Sequence, residues 1–345
     1  MLQWFDRENG AVGIFDATNS TRARRRWIKE LMEEHNVDPL FVESWSDDQE
    51  LIMHNILDVK TGSPDYEGMD PEKATKDFME RIKKYEQVYE TLDEYDSDLT
   101  YVKVVNVNAQ VIINRIQCYL ESRIIYYLMN LHIKRGCIWL SRHGESEYNL
   151  TGQLGGDSNL SERGNMYAHK LPKLVKDALG DDRPLTVWTS TLRRTQQTAR
   201  FLPYRQMQWK ALDELDAGVC DGMTYKEIEQ TYPEDFRARD ENKFQYRYRG
   251  GESYQDVVAR LEPIIMELER QDNILIVTHQ AVLRCIYAYF MNVPQDRSPW
   301  MEVPLHTLIK LEPRAYQTFE TRVPANIPAV STYREKGQTT LGEKS

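Results

Sequence analysis

The chain has 345 residues, 41% hydrophobic and 28% charged, a globular composition that is long enough for two ordinary domains and excludes disorder throughout. A formal charge of −10 argues against a general nucleic-acid binder, so a polyanionic ligand would need a local basic pocket. The four cysteines are scattered with no Cys-x-x-Cys pair, and neither a signal peptide nor a bilayer-long apolar run is present, so the expectation is a cytoplasmic protein with reduced thiols and no zinc, disulfide frame, nucleic-acid or membrane partner.

In chain order, Ala11 to Phe15 has the pattern of a buried strand ending at Asp16. Thr18, Asn19, Ser20 and Thr21 then offer caps for a helix. Phe41-Val42 and Tyr101 to Val105 read as further strands, and Asp77 to Glu90 and Val111 to Leu131 as long helical segments. Strands alternating with helices predict a parallel sheet with crossovers over residues 1–135, and Lys134-Arg-Gly136 marks the boundary of a second unit, residues 136–322.

That unit opens on Ile138-Trp-Leu140, a buried-strand pattern that stops at Ser141-Arg142-His143-Gly144-Glu145. The carboxyl ends of strands in open α/β sheets are where ligands bind. Arg142 offers a planar fork for phosphate oxygens, His143 is a nucleophile when neutral, and Gly144 permits close backbone approach. Residues 152–157 form a Gly-rich loop, and Ser161 begins a helix towards Leu179. Thr186 to Trp188 is the next strand, with Ser190 as the cap of a helix whose first turn carries Arg193 and Arg194. Asp213, Glu214 and Asp216 make either a solvated acidic turn or a proton donor beside a pocket.

Tyr225, Arg239, Lys243 and Tyr254 belong to a stretch where basic and aromatic residues interleave. Single-stranded nucleic acid is one reading of that pattern. A phosphate pocket fits a short run in an acidic chain better. Ser253 with Asp256 three residues on starts another helix. Ile274 to Val277 is a second apolar strand, which runs into Thr278-His279-Gln280 with Arg284 one turn further. From Val323 the chain lacks periodicity, and residues 323–345 read as a disordered tail.

The motifs RHGES and VTHQ resemble the histidine phosphatase superfamily. The residues around them are similar to the bisphosphatase half of the 6-phosphofructo-2-kinase/fructose-2,6-bisphosphatase family. FDATNSTRARRR, KTGSPDY, VNVNAQVIINR and SRIIYYLMNLH resemble that family's kinase domain. The implied fold is α/β, two doubly wound domains: an incomplete P-loop kinase-like parallel sheet, then a phosphoglycerate-mutase-like histidine phosphatase domain.

The resemblance also implies chemistry. His143 takes the 2-phosphoryl group of fructose 2,6-bisphosphate and becomes a phosphohistidine. Arg142, Arg194, His279 and Asn149 surround that group. Glu214 protonates the leaving oxygen and then deprotonates the attacking water. Tyr225, Arg239, Lys243, Tyr254, Gln280 and Arg284 hold the 6-phosphate. The phosphatase needs no metal or other cofactor. In the first unit Asp16 would help hold magnesium, and Thr18, Lys60 and Arg115 would face fructose 6-phosphate. A homodimer would form through the kinase-like half.

One departure limits this. G-x-x-x-x-G-K-[ST] occurs nowhere in the chain. Without it nothing cradles the ATP phosphates, so the kinase half is expected to be inactive, with ATP and magnesium relevant only if that segment were present. This points to an N-terminal truncation, from a gene model or a late start codon, and to a sheet missing a central strand. Three alternatives stand beside the hydrolase: the full bifunctional role, a phosphoglycerate mutase-like activity that hands the phosphate back, and a non-catalytic regulatory subunit.

Overall fold

The computed structural model describes residues 1–8, 10–50, 52–53, 56, 70–107, 109–130, 136–180, 184–314 and 317–333, and the chain divides into two units, Met1–Ile133 and Lys134–Ser345. Lys60 lies outside the described residues.

The first unit begins with α1 (Leu2–Glu8) and α2 (Arg22–Glu34). Thr21 caps α2, its hydroxyl accepting the N–H of Arg24 at 3.2 Å, because an extended threonine satisfies a donor the first turn leaves open. β1 (Phe41–Trp45) runs parallel to β2 (Tyr101–Val105), with α3 (Pro71–Glu86) between them in sequence. β3 (Gln110–Asn114) pairs antiparallel with β2, and α4 (Tyr119–Asn130) follows. Buried charges are paired: Arg25 meets Asp96 at 2.8 Å, and Lys103 meets Glu43 across the β1–β2 ladder at 3.6 Å.

Two expectations fail here. Residues 11–16 form no strand, and Ile14 is 88% exposed; without a ladder partner among the described residues their backbone groups turn to solvent. Val111 to Leu131 is not one helix. Its β-branched start, Val111-Ile-Ile113, joins β2 as β3, and Arg115 (φ 55°) breaks the chain before α4.

The second unit holds a six-stranded sheet: β4 (Cys137–Arg142), β5 (Thr186–Thr189), β6 (Arg205–Gln208), β7 (Asn273–Thr278), β8 (Thr307–Pro313) and β9 (Thr318–Pro324), in the spatial order β6-β5-β7-β4-β8-β9. β6, β5, β7 and β4 are parallel, and β8 and β9 complete the sheet antiparallel. Its helices are α5 (Glu147–Thr151), α6 (Glu162–Leu179), α7 (Arg193–Ala199), α8 (Tyr225–Thr231), α9 (Pro233–Glu241), α10 (Tyr254–Arg270) and α11 (Gln280–Phe290).

Alternation along the strands gives each sheet face its own core. Ile138, Leu140, Trp188, Ile274 and Ile276 pack on one side with Val257, Leu261 and Ile264 of α10 and Val282 and Ile286 of α11. Trp139, Val187, Leu275 and Val277 pack on the other with Tyr167, Leu171 and Val175 of α6. The sheet is thus covered on both faces, which is why its strands read as continuous apolar runs.

The disordered tail expected from residue 323 is also corrected as far as the structure describes it. Val323 lies in β9, Ala325 is fully buried, and the Ala325 N–H donates to His306 O at 2.8 Å. The N–H of Val330 donates to Glu145 at 2.8 Å, and the Tyr333 hydroxyl to Trp300 O at 3.3 Å. Val323, Ala325 and Ile327 supply the apolar burial that holds a segment without periodicity. Residues 334–345 lie outside the described residues.

Candidate active site

Strand register builds the centre of the site. Arg142, the last residue of β4, pairs with Thr278, the last of β7, so His143 and His279 leave neighbouring parallel strands at one level. Their rings stand 5.3 Å apart, centroid to centroid. Both are almost fully buried, as are Arg142 and Arg194.

The hydrogen bonds fix both tautomers. His143 Nδ1 lies 2.8 Å from the carbonyl oxygen of Gly144, which can only accept, so Nδ1 carries the proton and Nε2 keeps its lone pair. Arg194 Nε can only donate, and it lies 3.2 Å from His279 Nδ1; His279 therefore donates through Nε2 to Ser190 Oγ at 2.7 Å. Burial, then Arg194, holds both imidazoles well below their ordinary pKa, so both rings are neutral at neutral pH.

Arg194, on α7, anchors its other side by donating to Gly156 O at 2.6 Å. This is one contact the Gly-rich loop makes with the site. Burial and then Arg284 lower the Arg142 pKa to about 9. It remains charged at neutral pH, and a buried cluster of like charges favours an incoming anion. Its Nη1 donates to Val303 O at 3.1 Å and to Thr332 Oγ1 at 2.7 Å, while its buried Nε has no hydrogen-bond partner among the described residues.

Glu214 is the carboxylate that the acidic turn delivers to the site. It accepts the N–H groups of Gln280 and Ala281 at 3.1 and 3.2 Å, the first two residues of α11, and that of Leu215 at 2.9 Å. Asp213 instead accepts the backbone and hydroxyl of Thr191. Asp216 caps Gly218. The choice among the three acids is thus made by the position of α11.

A pocket is lined by Glu214, Tyr225, Arg239, Lys243, Tyr254, Gln280, Arg284 and Thr332, with Leu154, Gly155, Leu215, Ala217, Tyr246, Tyr248 and Ala281 completing its wall. Arg239 donates to the hydroxyls of Tyr225 and Tyr248, both at 2.8 Å, and Arg284 to that of Tyr254 at 3.1 Å. The Lys243 ammonium lies over Trp300, 4.3 Å from the ring centroid, and donates to Pro299 O at 3.0 Å. Arg142, His143, Arg194 and His279 are not in the lining. They connect to it through Thr332 on Arg142 and through Glu214 beside His279.

Asn149 is not the cap of α5, which is Ser146; its Oδ1 accepts from Ser146 within the capping box, which leaves the Nδ2 amide as its donor. Ser190 is not the cap of α7 either, since Leu192 occupies that position; its hydroxyl is held between His279 and Thr195. Sequence reasoning also missed Thr332 and Tyr248. Tyr248 sits in the Tyr/Arg-rich stretch and could have been found there, whereas no local signal marks Thr332.

In the first unit Asp16, Thr18 and Arg115 are exposed, and among the described residues no hydrogen bond joins them. Asp16 follows no strand, so this arrangement does not hold a carboxylate for magnesium. Among the described residues no helix is long and apolar enough to cross a membrane.

Residues 1–135 match the family model of 6-phosphofructo-2-kinase, and residues 138–324 that of the histidine phosphatase superfamily (branch 1). The chain is 64% identical over 346 residues to a fructose-2,6-bisphosphatase of Saccharomyces cerevisiae, a match that covers 100% of this chain and 76% of that protein. It is 50% identical to a 6-phosphofructo-2-kinase/fructose-2,6-bisphosphatase of Aquarana catesbeiana, covering 96% of this chain and 71% of that protein. These matches lend the expected truncation no support. A putative alpha-ribazole-5'-P phosphatase from Escherichia coli shares the fold, with a TM-score of 0.50, 24% identity, and 57% of this chain and all of that one covered. Two domain matches in this order, with relatives aligned along nearly the whole chain, place it: it belongs to the 6-phosphofructo-2-kinase/fructose-2,6-bisphosphatase family.

Proposed function

We propose that this chain hydrolyses the 2-phosphate of fructose 2,6-bisphosphate through a phosphohistidine on His143, giving fructose 6-phosphate and inorganic phosphate. The observation that carries the reading is His143, its Nδ1 tied to Gly144 O, buried as are Arg142, Arg194 and His279. Its Nε2 attacks phosphorus and the bond to the 2-oxygen breaks. The arginines and His279 take up the charge spread over the phosphoryl oxygens, and Asn149 Nδ2 adds a donor. Glu214 gives a proton to the leaving oxygen, then takes one from the water that cleaves the P–N bond.

A second phosphate needs a second basic cage. Arg239, Lys243 and Arg284, with Tyr225, Tyr254 and Gln280, line the pocket that also contains Glu214, and they suit the 6-phosphate. The kinase-like first unit and this second pocket favour the hydrolase over a mutase. Residues 1–135 form the kinase-derived unit and residues 136–322 the phosphatase. We place the protein in the cytoplasm, since four scattered cysteines without a Cys-x-x-Cys pair suit a reducing compartment.

The test is incubation with substrate labelled in the 2-phosphate, followed by an alkaline quench in which phosphohistidine survives. Label on the protein, absent in His143→Ala, with release of phosphate and fructose 6-phosphate, is the expected result. Folded wild-type protein that neither labels nor turns over would favour the non-catalytic subunit.

A further inference from the structure

We propose that His306 is a positioning residue for His143, acting through the single peptide bond between Gly144 and Glu145. The carbonyl of that peptide accepts from His143 Nδ1 at 2.8 Å. Its N–H, the amide of Glu145, donates to His306 Nε2 at 2.9 Å. The two imidazoles are therefore bound to opposite edges of one planar, trans unit, which cannot twist to release one without disturbing the other.

His306 is built to hold that unit. Because its Nε2 accepts from an N–H, its proton sits on Nδ1, which donates to Ile327 O at 3.1 Å. Tyr167 stacks on the ring at 4.9 Å, and the ring is almost fully buried. His306 adopts φ 54°, a left-handed conformation that is uncommon for a non-glycine residue. The other side of the loop is equally close: a Cβ on Gly164 would lie 2.0 Å from Glu145 O. Donation of the amide N–H to His306 also polarises the carbonyl, making it a stronger acceptor for His143 Nδ1–H. Tautomer and ring orientation of the nucleophile thus depend on a histidine 163 positions later in the chain, by the numbering of the two residues.

This deepens the reading of His143 as the nucleophile and rests on it. The test uses full-length protein with 15N-labelled histidine, where seven histidines keep the spectrum tractable. In the wild type, His143 is expected as the Nδ1–H tautomer. His306→Phe keeps a ring against Tyr167 but removes both nitrogens. It should turn His143 into a tautomer mixture and slow single-turnover phosphohistidine formation by about 10–100-fold, as loss of an orienting outer partner does elsewhere, with KM little changed. His306→Gln restores an acceptor for the Glu145 N–H but no donor for Ile327 O, and should recover both readouts.

An unchanged tautomer and rate in His306→Phe would overturn the proposal, and so would His306→Gln as slow as His306→Phe. If His306→Phe does not fold, His306→Asn replaces it: asparagine tolerates the left-handed backbone but stops short of the Glu145 N–H. Failure of the wild type to phosphorylate would sink the proposed function, while the tautomer spectra would still decide the relay.

Discussion

His143 and His279, 136 positions apart by their numbering, stand with ring centroids 5.3 Å apart because Arg142 and Thr278 pair across neighbouring parallel strands. Directly after His279, the first two residues of α11 hold Glu214 through their backbone N–H groups. The proposed nucleophile, the proposed phosphoryl-binding imidazole and the candidate acid are therefore set by one strand register.

Glu214→Gln keeps the shape of the side chain and removes its proton transfer. It is expected to lower kcat by roughly 10²–10⁴-fold, the range for loss of a general acid–base. Burst kinetics would check it; a steady-state rate within a few-fold of the wild type would remove Glu214 from the chemistry.

The pocket residues should separate binding from chemistry. Arg239→Met or Lys243→Met removes a charge that the proposed function places on the 6-phosphate. Charge-assisted hydrogen bonds contribute ~1.5–3 kcal/mol, so KM should rise about 10–100-fold with a smaller change in kcat. Arg194→Met, beside His279, should act mainly on kcat. Initial rates over a range of substrate concentrations distinguish the two patterns, and equal effects on both parameters would contradict the assignment.

Stability should fall on mild acidification. Burial first, and then Arg194, keeps His143 and His279 below their ordinary pKa, and burial lowers His306 too. Unfolded, these rings return to about 6.5. Below that pH the unfolded chain binds more protons than the folded one, so stability is lost as pH falls from about 6.5 towards the folded values and is unaffected by these groups above it. Calorimetry between pH 8 and 5 should show Tm falling below about pH 6.5, less steeply in His279→Asn. Identical slopes would mean that His279 is not the group titrating.

Gly164 is a packing requirement of the catalytic loop. A methyl group there would strike the Glu145 carbonyl, and one on Gly144 would meet Gly164 O at 2.6 Å. Both obstacles are backbone, which cannot rotate away. Gly164→Ala should cost ~1–3 kcal/mol, the usual penalty for overpacking, and slow the enzyme as the loop shifts. Denaturant titration measures the first and the phosphohistidine assay the second; an unaffected protein would show that the loop yields freely.

Much of the second unit was legible locally. The apolar runs before Arg142 and before His279 are strands, Ser161 caps α6, and Ser253 with Asp256 forms a capping box. These signals act over a few residues, where backbone hydrogen-bonding needs and burial periodicity decide the outcome. The first unit was less legible for the same reason. Ala11 to Phe15 has strand propensity, but a strand exists only where a partner completes its ladder, and propensity carries no information about partners.

By itself, then, the sequence determined the strand–turn positions of Arg142, His143, His279 and Gln280 and the residue types suited to two phosphates, because period-2 burial and turn chemistry are local properties. Only the tertiary structure decided the rest. It selected Glu214 over Asp213 and Asp216 by placing α11, put Thr332 on Arg142, folded residues 323–333 onto the domain, and joined His306 to His143 through one peptide. Each of these depends on which distant segments meet, and that is set by sheet register and core packing rather than by neighbours in the chain.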